Sequence, residues 1–174
     1  MGLNNLNLDV LGDVLERGRT DASAFRLHKR VEGRWSFTPG EPAFTASVPH
    51  GGASTDLHVD IAPGFGGQGL APDPLQYLLT GLAACYASTL VTIAATEGIA
   101  LASLTVVAEQ DVNVAAVYDA GDAPLMEQVS VTVQVVADVD DATLARWQDA
   151  ARAKCPFAYT IVNPIPLTTT VERA

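Results

Sequence analysis

Positive charge is scarce in this sequence: 10 Lys and Arg stand against 20 Asp and Glu, a formal net charge of −10 over 174 residues. That balance argues against nucleic acid or an anionic membrane as the main partner, because both select basic surfaces. Cysteine is almost as sparse. Two cysteines are too few to staple a small secreted scaffold. A chain of this length buries close to ~70% of its unfolded surface and needs no staple. No repeat, low-complexity tract or dividing linker is present. The opening Met1-Gly2-Leu3-Asn4-Asn5-Leu6 lacks the basic and long apolar regions of a signal peptide. Leu6 stands where a myristoylation motif needs Ser or Thr. We therefore expect a cytoplasmic protein. The apolar share, 48%, excludes disorder.

Residues 74–96 carry no charge, and about 20 apolar residues would span a bilayer. Gln76, Thr80, Ser88, Thr89, Thr92 and Thr96 interrupt that stretch, and Asp73 and Glu97 bound it without basic flanks. The expectation is a fully buried helix of a soluble protein, not a membrane span. Asp73 is a suitable N-cap, Pro74 suits the first helical position, and Glu97-Gly98 is a plausible stop. Before this helix, Leu8, Leu11 and Leu15 predict a short N-terminal helix over residues 5–18. Strands are expected over Phe25–Phe37, Ala43–Val48 and Asp56–Ile61, with turns at Pro39-Gly40 and Pro49-His50-Gly51-Gly52. After the helix, Ser103–Val114 and Met126–Ala137 read as two long Val-rich strands. A second helix capped by Asp140 or Asp141 should run to about Lys154. Cys155-Pro156 interrupts it, a helical turn follows to Val162, and Pro164–Val171 reads as an edge strand. The order implies an α+β fold with helices grouped on antiparallel sheet.

Residues 64–69, Gly-Phe-Gly-Gly-Gln-Gly, match G-x-G-x-x-G. A dinucleotide site needs the last glycine to open a helix with an acid about 20 residues later. Ala71-Pro72-Asp73-Pro74 intervenes, and that later position falls in the uncharged helix, so a loop is expected. His28, His50 and His58 lack metal-ligand spacing, and no G-x-S-x-G occurs. The cysteines carry more. Small neighbours surround Cys85 in mid-helix. Cys155 precedes Pro156 at a helix start, with Arg152 and Lys154 nearby, a setting that lowers a thiol pKa. A buried thiol on the long helix facing an activated thiol at a helix start suits peroxide reduction, one sulfur attacking the O–O bond and the other closing a disulfide.

Gly66-Gly67-Gln68-Gly69-Leu70-Ala71-Pro72-Asp73-Pro74-Leu75, running into Leu78-Leu79-Thr80-Gly81-Leu82-Ala83-Ala84-Cys85, resembles the OsmC/Ohr family of osmotically induced and organic-hydroperoxide-resistance proteins. Lys154-Cys155-Pro156-Phe157 and Asn163-Pro164-Ile165-Pro166-Leu167 support the resemblance. It divides the chain into an N-terminal helical extension, residues 1–22, and an OsmC-like domain, residues 23–174. The resemblance implies antiparallel sheets packed around long central helices in an intertwined homodimer, with sites near the subunit interface. It implies Cys85 as the peroxidatic thiol and Cys155 as the resolving thiol in an oxidative-stress peroxidase. An organic hydroperoxide would be the substrate and an external thiol the reductant, with no cofactor and no metal.

The chain departs from the family pattern at one place. The hydroperoxide-resistance branch has a glutamate ten residues before the first cysteine, where this chain has Leu75; other OsmC-like chains have it one place later, here Gln76. That glutamate pairs with an arginine, for which Arg26, Arg30 and Arg34 are the available residues. An amide can hydrogen-bond an arginine but supplies no counter-charge. The rival expectation is a non-catalytic OsmC-like protein that binds a small apolar ligand at the dimer interface.

Overall fold

The computed structural model describes residues 2–173. By internal contacts the chain forms two compact units, Val10–Thr80 and the residues up to Asp9 together with those from Gly81 onward.

The chain starts with a small hairpin, β1 (Gly2–Leu3) and β2 (Leu6–Asn7). Asn4 and Asn5 turn it with φ of 52° and 63°, as a two-residue hairpin turn of this hand requires. Asn4 also anchors the hairpin: its Nδ2 donates to the Ile99 carbonyl and its Oδ1 accepts from Leu101 N–H, both at 2.8 Å. Helix α1 (Leu8–Thr20) follows, close to the predicted span, with none of its residues buried.

The unit Val10–Thr80 is built on a three-stranded antiparallel sheet, β3 (Gly33–Trp35), β4 (Phe44–His50) and β5 (Ala53–Val59), in the order β3-β4-β5. The Phe25–Phe37 strand shrinks to Gly33–Trp35. Its alternation marks one apolar side, but Phe25, Leu27, Val31 and Phe37 all stay exposed, and only three residues find a partner in β4. Gly33 is needed where β3 passes under Phe44, since a Cβ there would sit 2.1 Å from the ring. The expected four-residue turn after Val48 also tightens. Pro49 and His50 stay in β4, and Gly51-Gly52 alone reverses the chain. Pro49 lies past the last residue paired with β3, at a free edge that tolerates a missing N–H.

Asp60 organises the glycine-rich loop. It is 2% exposed, and its carboxylate accepts from Ile61 N–H and Leu70 N–H, both at 2.8 Å. The Leu70 N–H leads the hydrogen bonds that hold this carboxyl below its usual range. The loop makes a short 3₁₀ turn at Pro63–Phe65 and opens no helix. Helix α2 (Pro74–Thr96) begins only at Pro74.

The helix α2 starts with a reciprocal cap. Gln76 N–H donates to Asp73 Oδ1, and Asp73 N–H donates to Gln76 Oε1, both at 2.9 Å. It ends at Gly98, whose φ of 74° lets Ile99 N–H return to the Ala94 carbonyl at 2.9 Å. By length and composition α2 could cross a membrane. It is not buried all round as expected: only Leu82, Tyr86, Leu90, Ala94 and Ala95 are buried. The buried Leu82, Tyr86, Leu90 and Ala94 recur four apart and so form a single stripe of the helix.

Beyond α2, β6 (Leu101–Val112) and β7 (Met126–Ala137) pair antiparallel, Leu101 opposite Ala137. Helix α3 (Asp141–Lys154) is capped by Asp140, whose Oδ1 accepts from Thr143 N–H at 2.9 Å. Helix α4 (Pro156–Val162) completes the elements. The expected edge strand Pro164–Val171 does not form. Pro164 and Pro166 offer no N–H to a ladder, and no strand pairs with the segment among the described residues. A core of Tyr86, Leu90, Ala94, Trp147, Ala151 and Cys155 joins α2 to α3, with Leu104, Val131 and Val133 of the sheet packed on it.

The far end of α2 is tied to α3 by one carboxylate. Glu97 accepts from both Arg146 guanidinium nitrogens, at 2.5 and 3.0 Å, and from Trp147 Nε1 at 2.9 Å. Arg146 first, then Trp147, brings its pKa down from 4.5 to about 2. A lowered carboxyl pKa stabilises the fold above the unfolded value and loses that contribution as pH falls through the folded one. Thermal melts should therefore show stability draining between pH 4.5 and 2, and Glu97→Gln should flatten that limb. An unchanged acid limb in the variant would remove this account.

Candidate functional site

Both cysteines belong to the unit that starts at Gly81, and both are free thiols. Cys85 lies on α2 one residue before the core tyrosine, half-buried, while Cys155 is 0% exposed at the joint between α3 and α4. Cys85 packs against the core cluster that contains Cys155. Their settings are the reverse of those read from local sequence. Cys155 is the inaccessible thiol and makes no side-chain cap to α4. The Phe157 N–H, in the first turn of α4, acts on Cys85 and favours its thiolate.

The reversal follows from the backbone. Pro156 has no N–H to offer, so the first free donor of α4 is Phe157. The extended conformation of Cys155, φ −71° and ψ 118°, sets that donor beside Cys85, while Cys155 itself packs with Trp147 and Ala151. Burial, the largest influence, pushes the Cys85 thiol up, as does the neighbouring Cys155; the Phe157 N–H works the other way. None of these influences is a cation. Alkylation of Cys85 by iodoacetamide, followed against pH, should accordingly rise with a midpoint above the usual thiol range of about 8.5. A midpoint below that range would show an activating charge acting on Cys85.

Cys85 opens onto a groove of about 420 Å³ lined also by Ser88, Thr89, Thr92, Ile93, Thr96 and Lys154. A neighbouring cavity of about 480 Å³ lies among Tyr86, Leu90, Val133, Leu144 and Trp147 and exposes no thiol. Among the described residues no cluster of His, Cys, Asp or Glu could hold a metal ion.

The site is an accessible thiol packed against a core that holds a buried second thiol, on a long helix beside paired β-strands. The sequence pattern of the OsmC family, described as OsmC-like protein, matches residues 66–170, more than half of the chain. The chain belongs to the OsmC-like family. Its α+β mix of helices and antiparallel sheets agrees with that fold. An OsmC-like protein from Vibrio cholerae has a TM-score of 0.59 at 16% identity, covering 79% of this chain and 95% of that one. A candidate osmotic stress-induced and detoxification-response protein from Psychrobacter arcticus also reaches 0.59, at 20% identity, with 80% and 92% covered. An organic hydroperoxide resistance protein OsmC from Legionella pneumophila reaches 0.55 at 17% identity, with 79% and 92% covered. At these identities the likeness is one of fold. No curated protein matches the chain in sequence.

The remaining candidate residues of this OsmC-like chain lie in the other unit. Gln76 is engaged by the reciprocal cap with Asp73, so its amide serves the helix start. Arg26 is exposed and follows the 3₁₀ turn Ala22–Phe25. Arg30 pairs with Glu32 at 2.5 Å, and Arg34 lies on β3 opposite Thr45. The Arg30 guanidinium, by hydrogen bond and then by charge, holds the Glu32 carboxyl below its usual range, with Arg34 adding to it. Two features had no clear mark in the sequence. The Phe157 N–H was hidden because a backbone donor leaves no residue signature. The second was the buried carboxylate of Asp60, which a search for paired acids passes over.

Proposed function

We propose that this OsmC-like chain is a thiol-dependent peroxidase that reduces organic hydroperoxides through Cys85 and Cys155, working as a cytoplasmic homodimer. The observation that carries this reading is the packing of an accessible Cys85 against the core cluster that holds a buried Cys155. Solved structures of similar fold from Legionella pneumophila and Elizabethkingia anophelis are named organic hydroperoxide resistance proteins, which supports the substrate class. The uncharged α2, with only five buried residues, supports a second copy as the cover for its apolar surface outside the Cys85 groove.

The chemistry follows from the two settings. Cys85, as the thiolate, attacks the terminal oxygen of the hydroperoxide and the O–O bond breaks. The alkoxide leaves with a proton as the alcohol, and Cys85 becomes a sulfenic acid. The Phe157 N–H stabilises the negative sulfur before attack. Cys155 then gives up its proton and attacks the Cys85 sulfur. Hydroxide departs, takes that proton and leaves as water, and a disulfide remains. An external thiol reductant restores the pair by exchange, ending as the oxidised partner. Each cycle moves two electrons from that reductant to the peroxide.

One equivalent of an organic hydroperoxide added to the reduced protein should yield an intrachain Cys85–Cys155 disulfide, read by mass spectrometry of unreduced peptides. Both thiols unchanged after peroxide is offered would sink the proposal. The second reading, a non-catalytic protein holding a small apolar ligand at the dimer interface, is favoured by the upward shift of Cys85 and by a Gln76 committed to its cap. A ligand retained through purification, with no peroxide consumed, would decide for it.

A further inference from the structure

The groove beside Cys85 is chemically asymmetric. Its floor is one face of α2 from Cys85 to Thr96, about 16 Å of helix at 1.5 Å per residue. Every hydroxyl on that floor donates back to the helix. Ser88 bonds to Ala84 O and Thr92 to Ser88 O at 2.8 Å, Thr89 to Cys85 O at 2.9 Å, and Thr96 to Ile93 O at 2.8 Å. With their protons turned inward, these residues offer methyl groups and oxygen lone pairs to anything lying in the groove, together with the Ile93 side chain. Such a floor suits an apolar chain and repels an anion.

Lys154 is the exception. It is the one cation lining the groove, it is exposed, and its ammonium makes no ion pair among the described residues. Its charge bears on Glu97, just beyond Thr96. The Glu97 charge is already offset by Arg146, which bonds to both of its oxygens. The groove thus brings together a nucleophilic sulfur, an apolar floor and a positive charge with no ion-pair partner among the described residues.

We infer that Lys154 is a specificity-determining residue, an anion subsite that holds the carboxylate end of a chain-like peroxide whose reactive group lies at Cys85. The inference rests on the peroxidase reading for its substrate, but the subsite can be tested without peroxide turnover. The full-length protein, in its own oligomeric state at low salt, is treated with 6-maleimidohexanoic acid or with its methyl ester. Addition at Cys85 is followed by mass spectrometry, each rate being divided by that for a small free thiol. Cys155, fully buried, is the internal control for intact packing.

An exposed charge pair predicts a preference for the acid of about three- to fivefold. Lys154→Met should abolish it, Lys154→Arg should keep it, and 1 M salt should weaken it as screening requires. Equal rates for acid and ester in the parent protein, or a preference that survives Lys154→Met, would overturn the subsite. With a carboxylate-bearing hydroperoxide and its methyl ester, Lys154→Met should raise KM for the acid alone. Turnover of both with no KM difference overturns the subsite and leaves the peroxidase standing. A maleimide preference without any turnover keeps the subsite and removes the peroxidase.

Discussion

Cys85→Ser is expected to lower hydroperoxide consumption by roughly a thousandfold or more, the scale on which loss of an attacking nucleophile is felt. Serine keeps the volume and the hydrogen-bonding capacity, so the packing against the core that holds Cys155 and the Phe157 N–H need not rearrange. What goes is the polarisable, ionisable sulfur, since a hydroxyl is scarcely ionised at neutral pH and does not cleave an O–O bond. Cys155→Ser should behave differently. Its first turnover should proceed, releasing about one equivalent of alcohol per chain, and then stop with Cys85 held as a sulfenic acid open to further oxidation. Stopped-flow measurement of alcohol release separates the two variants, and a sulfenic-acid trap identifies the stalled species. Retained turnover in Cys85→Ser would end the peroxidase account, and unimpaired cycling in Cys155→Ser would end the assignment of Cys155 as the resolving thiol. The burial of Cys155 explains the order of events: a thiol with no exposed surface is reached by the neighbouring sulfur and not by a bulky peroxide.

The elements that read well in the sequence carry their own stop signals. Asp73-Pro74 and Gly98 bracket α2, and Asp140 and Cys155-Pro156 bracket α3, because caps and prolines act over a few residues. The strand β7 was legible for the same reason, its Val-rich alternation ending at Ala137. Where a segment depends on a distant partner, the sequence misleads. Phe25–Phe37 and Pro164–Val171 both alternate like strands, yet only Gly33–Trp35 of the first finds a ladder, and the second finds none. Alternation records which side of an extended chain is apolar and says nothing about which strand lies beside it.

The site divides along the same line. The sequence expectation that Cys85 and Cys155 could face each other meets a structure in which Cys85 packs against the core cluster that holds Cys155. Which of them is accessible was not legible, because proximity to Arg152, Lys154 and a helix start describes only the local chain around Cys155. The fold overrides it by packing Cys155 beneath Trp147 and Ala151 and handing the Phe157 N–H to Cys85. The Glu97–Arg146–Trp147 cluster was equally invisible, since it joins residues about 50 positions apart with no motif to mark them.

Trp147 is where stability and the thiol pair meet, and Trp147→Ala should be the most damaging packing change in this part of the chain. The side chain is 0% exposed and touches a core that includes Tyr86, Leu90 and Ala94. Removing a buried aromatic of this kind costs about 3–5 kcal/mol, against a total stability of roughly 5–15 kcal/mol for a domain. The variant should therefore be marginal or unfolded at 37 °C, and denaturant unfolding followed by far-UV circular dichroism would read the loss. A change under about 1 kcal/mol would mean that the site collapses without cost, contrary to its packing. Trp147→Phe separates the two roles of the ring. It keeps most of the volume but removes the Nε1–H bond to Glu97, so its main effect should be a rise of the Glu97 pKa from about 2 toward 4.5. The consequence for chemistry follows from spacing, because Trp147, Ala151 and Cys155 succeed one another at i+4 on α3 and its end, all at 0% exposure. In the folded fraction of Trp147→Ala the void lies under Cys155. Sulfenic acid formation at Cys85 should then keep its rate, while disulfide closure slows.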